Sequence, residues 1–120
     1  MTPDRRAALV ALKDAVEVGN ATRTTIEEMA AGVFGLNTNA MDVGTAYAQG
    51  STDAALALLG AVLPGWGMGI IGPMSSGEYH ATVLPRQDDP PEYHATNLTP
   101  ARAMLLATLV ALIEQEARDG

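Results

Sequence analysis

Residues 103–113 are apolar at every position except Thr108, and they follow Asn97-Leu98-Thr99-Pro100. Pro100 suits the first turn of a helix, where its missing N–H would have had no partner, and Thr99 is placed to cap it. The pattern predicts a helix over residues 100–118. Leu105, Leu106, Leu109, Val110, Leu112 and Ile113 spread over more of its circumference than a surface helix presents to a core. Glu114, Gln115, Glu116, Arg118 and Asp119 then return the chain to solvent. The run is too short to cross a bilayer, which needs about 20 apolar residues. Other parts of the fold must therefore cover this helix on more than one side.

A second segment carries the same demand. After a Ser51 or Thr52 cap, with Asp53 in the first turn, residues 54–63 are apolar almost all round until Pro64-Gly65 stops them. Between these helices the period changes from helical to alternating. Residues 66–71 alternate Trp66, Met68 and Ile70 with Gly67, Gly69 and Ile71. Residues 78–84 put Tyr79, Ala81 and Val83 on one face and Glu78, His80 and Thr82 on the other. Residues 92–96 form a third short strand. The links at 72–77 and 85–91 are rich in turn residues, so an antiparallel meander is expected. The two apolar helices imply either cover on both faces of this sheet or burial between copies of the chain.

The first half is less regular. Residues 3–18 predict an amphipathic helix with Thr2 as cap, Pro3 in its first turn and Leu9, Leu12 and Val16 as its stripe; Gly19 ends it. A shorter helix is expected over 26–31, with Thr25 and Glu28 as a capping box and Gly32 as its stop. Residues 35–50 show no clear period and contain three glycines, so they read as a loop. The expected organisation is a single α+β domain over 1–120. It has N-terminal helices to residue 34, a loop at 35–50, and a core over 51–120 in which helices layer against a three-stranded antiparallel sheet.

Charge and composition narrow the function. The chain has no cysteine, which excludes disulfides, thiolate catalysis and thiolate zinc sites, and suits a reducing cytoplasm. Net charge is −7, and the seven basic residues are scattered. Without a basic stripe, direct nucleic-acid binding is not expected. The acidity either keeps an apolar small protein in solution or fits it to a basic partner. No secretory apolar region follows the polar start, and no membrane association is expected.

Several constellations carry chemistry. Glu78-Tyr79-His80-Ala81-Thr82 is repeated as Glu92-Tyr93-His94-Ala95-Thr96 and includes both histidines. If the strands pair around a turn near Gln87, His80 and His94 face each other. With Glu78 or Glu92 beside them they could hold a metal, titrate as a pair, line an interface, or simply face solvent. Gly67-Met68-Gly69-Ile70-Ile71-Gly72 has the spacing of a dinucleotide loop. It follows a helix rather than opening one, and that excludes the nucleotide reading. Trp66 reads as core or as a stacking surface. Asp88-Asp89 with Glu92 could bind a hard cation or act as an acid–base pair, but in an exposed turn they lack the burial that tunes a pKa and read as a solvated turn or as a phosphate mimic for a basic partner. No catalytic triad, phosphate loop or zinc helix is present, so neither enzymatic activity nor a cofactor is expected.

Ser51-Thr52-Asp53-Ala54-Ala55-Leu56-Ala57-Leu58, Leu63-Pro64-Gly65-Trp66, Gly77-Glu78-Tyr79-His80-Ala81-Thr82 and Thr99-Pro100-Ala101-Arg102-Ala103 together resemble small bacteriophage and prophage proteins with a phage ABA-sandwich domain. The resemblance covers residues 51–118. It implies a layered α/β/α domain and supplies no catalytic site. It leads to the expectation of a non-enzymatic binding protein, acting in the bacterial cytoplasm by occupying a host protein, such as one of immune defence. Tyr79, His80, Asp88, Asp89, Tyr93 and His94 are the candidate contact residues. The alternative is an oligomer, associating through its apolar helices, that sequesters a small ligand or nucleotide against the glycine face of residues 66–71.

Overall fold

The computed structural model describes residues 3–85 and 92–119, of which Pro3, Arg118 and Asp119 are described by backbone alone. In chain order the elements are α1 (Pro3–Val18), α2 (Arg23–Phe34), α3 (Thr38–Gln49), α4 (Thr52–Val62), β1 (Gly67–Ile71), β2 (Tyr79–Leu84), β3 (Tyr93–Asn97) and α5 (Pro100–Asp119). The architecture is α+β, with helices packed on one three-stranded antiparallel sheet of order β1-β2-β3.

The helix α5 runs through the middle of the molecule. Ala101 and every residue from Ala103 to Leu109, Thr108 included, are buried, as are Ala111, Leu112 and Ile113. One side of α5 lies against β2 and β3, and its other sides meet α1, α3 and α4. The layers therefore stack as sheet, α5, then the remaining helices. Helices do not cover both sheet faces among the described residues, and α5 needs no second copy to bury its apolar surface. Thr108, the polar residue in the apolar run, donates its hydroxyl to Met104 O at 3.0 Å and so leaves no unpaired group. At the start of α5 the Thr99 carbonyl accepts from Ala103 N, while the Thr99 hydroxyl turns back to Asn97 Oδ1. Thr99 thus caps with its backbone. At the far end Arg5 of α1 pairs with Glu116.

The expected N-terminal organisation needs two corrections. First, α2 is longer than residues 26–31. Thr22, not Thr25, caps it by accepting from Thr25 N at 3.2 Å, and Gly35, not Gly32, closes it through Gly35 N to Ala31 O at 2.8 Å. Gly32 lies on the exposed side of α2 and does not stop the helix. Second, residues 35–50 are not a loop, because most of them form α3. Asn37 caps it by accepting from Asn39 N at 2.9 Å, and Gly50 closes it in the left-handed region. Its core stripe is Ala40, Val43, Gly44 and Tyr47, at helical spacing but built partly of small residues. Gly44 lets α2 approach closely, since a Cβ there would lie 2.3 Å from Glu27 Cγ. The expected Thr2 cap of α1 lies outside the described residues.

Candidate functional site

Alternation along β2 and β3 sends His80, Thr82, His94 and Thr96 to the face turned away from α5. The register pairs His80 with Thr96 and Thr82 with His94. The histidines are thus diagonal neighbours rather than directly opposed, yet they meet. His80 Nε2 lies 2.9 Å from His94 Nδ1, and the rings cross at 79° with centroids 5.1 Å apart. Thr82 Oγ1 reaches the same His94 Nδ1 at 3.1 Å, and Glu92 Oε2 lies 3.5 Å from His94 Nε2.

His94 Nδ1 has a single in-plane site, which the His80 ring and the Thr82 hydroxyl share, and the direction of each hydrogen bond follows the tautomer. In the tautomer with its proton on Nε2, His94 presents a donor toward the Glu92 carboxylate. The same geometry argues against the metal reading. His80 and Glu92 contact opposite nitrogens of the His94 ring, so they do not converge on one ion. Among the described residues no group of three or more histidine and carboxylate side chains is placed to hold a metal. The hydroxyl–imidazole–carboxylate series of Thr82, His94 and Glu92 lies on an exposed surface, without the burial that makes such a series a strong base.

The rest of this face comes from β1. Gly69 is paired with Thr82 and Ile71 with His80. At Gly67 and Gly69 an added Cβ would meet nothing within 4 Å, and Ile71 is 72% exposed. The surface is a shallow platform, with a polar His–Thr stripe beside bare backbone and one isoleucine. Periodicity puts Thr82 on the face of His80 and Ile71 on the face of Gly67 and Gly69, but only the register joins the two faces.

The other candidate residues are elsewhere. Tyr79 and Tyr93 belong to the face that meets α5. Tyr93 is buried and stacks on Trp66 at 6.1 Å between centroids, which makes Trp66 a packing residue at the sheet edge. The Tyr93 phenol oxygen has no hydrogen-bond partner among the described residues. Asp88 and Asp89 lie outside the described residues. Gly67 and Gly69 are in an extended strand rather than a phosphate loop.

Two further concavities flank the helices. One, of about 400 Å³, lies between α2 and α3 beside Glu28, Leu36 and Met41. The other, of about 530 Å³, is lined by Glu17, Glu78, Asn97 and Arg102. Arg102 is occupied there structurally: its Nε donates to Tyr47 O at 3.1 Å and its guanidinium lies 4.2 Å from the Tyr47 ring centroid. Burial raises the Asp42 carboxyl above its ordinary value.

No protein-family model matches the chain, and neither a curated protein nor a solved structure does. Among the described residues no helix is long and apolar enough to cross a membrane.

Proposed function

We propose that this chain is a non-enzymatic binding protein that acts by occupancy, docking the open face of its sheet on a protein of a bacterial host. The supporting observation is that among the described residues no helix covers this face, while the opposite face is packed on α5. It offers what a docking surface needs: a rigid sheet, adaptable donors and acceptors at His80, Thr82 and His94, and exposed apolar surface at Ile71. The resemblance of residues 51–118 to phage proteins directs the choice of partner toward bacterial defence, in a cytoplasmic setting. Native mass spectrometry after incubation with bacterial lysate tests the reading. A stoichiometric complex that is lost in Thr82→Arg and His94→Ala, with the circular dichroism unchanged, supports it. A complex indifferent to both substitutions, or turnover of a substrate abolished by His94→Ala, rejects it.

The second reading is sequestration of a small ligand, favoured by the bare backbone at Gly67 and Gly69, which admits a flat molecule. It predicts that the purified protein carries an added mass of a few hundred daltons. Mild denaturation would release that mass.

A further inference from the structure

Apolar edge strands invite pairing, and folded proteins usually protect them with charge, proline or a bulge. The strand β1 has none of these. It is the edge of the sheet, and α5 lies under β2 and β3 but barely reaches it. Four of its five residues are exposed, among them Ile70 at 41% and Ile71 at 72%. No charged residue occurs anywhere between Asp53 and Glu78, in a chain of net charge −7. Two copies of so acidic a chain repel each other, and β1 and the segments on either side of it bring no carboxylate of their own to such a contact.

We infer that β1 pairs antiparallel with β1 of a second copy about a twofold axis at Gly69, joining two three-stranded sheets into one of six strands. The sequence of the strand is self-complementary in this register. Gly67 falls opposite Ile71 of the other copy, Met68 opposite Ile70, and Gly69 opposite itself. Residues directly opposite share a face, so each Ile71 side chain fills the space that Gly67 leaves open across the axis. Met68 and Ile70 cover each other on the inner face, where α5 barely reaches. The free backbone groups of β1 gain partners, and the interface is isologous, so it closes at two copies. A strand from an unrelated protein could use the same edge, but it would not bring the glycine–isoleucine match at both ends. The pairing takes up Ile71 and the space over Gly67 but leaves His80, Thr82 and His94 open, and it places the two His80–His94 clusters on one continuous surface.

The axis at Gly69 allows a charge-exchange test. A side chain at 69 meets nothing within the monomer, so Gly69→Glu and Gly69→Lys should both fold. Each places like charges directly opposite across the twofold axis. Sedimentation equilibrium from micromolar to millimolar concentration should show the native chain reaching twice its 12.5 kDa mass. Either variant alone should associate at least about tenfold more weakly. An equimolar mixture of the two should recover a dimer containing one of each. Hydrogen exchange on the native chain gives an independent readout, with amides of residues 67–71 gaining protection as concentration rises. A native chain that stays monomeric overturns the proposal. So does a dimer that both variants leave intact, or one that forms without protecting residues 67–71.

Discussion

Two apolar segments of this protein end in opposite situations. The helix α5 is buried on every side, and the strand β1 is exposed at its edge and on much of both faces. Their difference lies in position rather than in hydrophobicity. The last helix passes back beneath β2 and β3 with α1, α3 and α4 on its far side, while β1 is the strand that α5 barely reaches. An apolar residue contributes to folding only where the topology supplies neighbours, and to association where it does not.

The sharpest way to break this comparison is to remove the same kind of side chain from each segment. Leu109 is fully buried at the centre of α5. Leu109→Ala leaves a cavity and should cost about 2–5 kcal/mol of unfolding free energy. Ile71→Ala, measured by urea denaturation at a concentration too low for association, should cost about 0.5 kcal/mol or less. Equal losses would mean that β1 is packed within the monomer and would remove the basis for self-pairing.

Glycines sharpen the same contrast on a smaller scale. Gly44 is pressed between α2 and α3, where a Cβ would collide with Glu27 Cγ. Gly44→Ala must displace Glu27 and disturb its 3.2 Å pair with Arg23, at a cost of about 1–3 kcal/mol. Gly60 lies in α4, and an added Cβ there would meet nothing within 4 Å. Gly60→Ala should stabilise the protein by about 0.5–1 kcal/mol through helix propensity. Thermal denaturation of the two variants should therefore move in opposite directions.

A hydrogen bond ties α3 to the turn between the two helices before it. Tyr47 of α3 donates its hydroxyl to Ala21 O at 2.6 Å, in the turn between α1 and α2. Tyr47→Phe keeps the ring against Arg102 and removes that donor, so about 1 kcal/mol should be lost in chemical denaturation. No loss would show that water replaces the bond and that the turn is held by packing alone.

How much of this was legible in the sequence depends on the kind of signal each element carries. The elements α1, α4, α5 and the three strands announce themselves through caps, proline, and clear three-to-four or two-residue periods. The helix α3 was hidden because half of its buried stripe is alanine and glycine, which carry little hydrophobic contrast, and because Gly44 looks like a helix breaker. Its value appears only when α2 is in place, where tertiary packing overrides local propensity. The Asn37 cap was the available clue. In the candidate site, the repeated pentapeptide placed His80 and His94 on one sheet face. Their diagonal contact, with Thr82 joining it, follows from the register, which turn composition alone does not specify. The uncovered state of that face was not legible, because it depends on which side of the sheet α5 takes.

The smallest expected effect concerns Asp42 and tests whether α3 is packed as firmly as the elements that were easier to read. Burial raises this carboxyl above its ordinary value of 3.8. The folded state then holds its proton more tightly than the unfolded state does. Stability linked to Asp42 is fully present below pH 3.8 and is lost as pH rises through the raised folded value, where the ionised carboxylate is penalised. Asp42→Asn removes that penalty. The variant should be slightly more stable than the native chain at neutral pH, and the advantage should shrink to nothing in acid. Melting temperatures of both proteins across this range provide the check. An advantage that is constant with pH would assign the effect to helix propensity, and one that grows in acid would mean that a favourable interaction, not burial, governs this group.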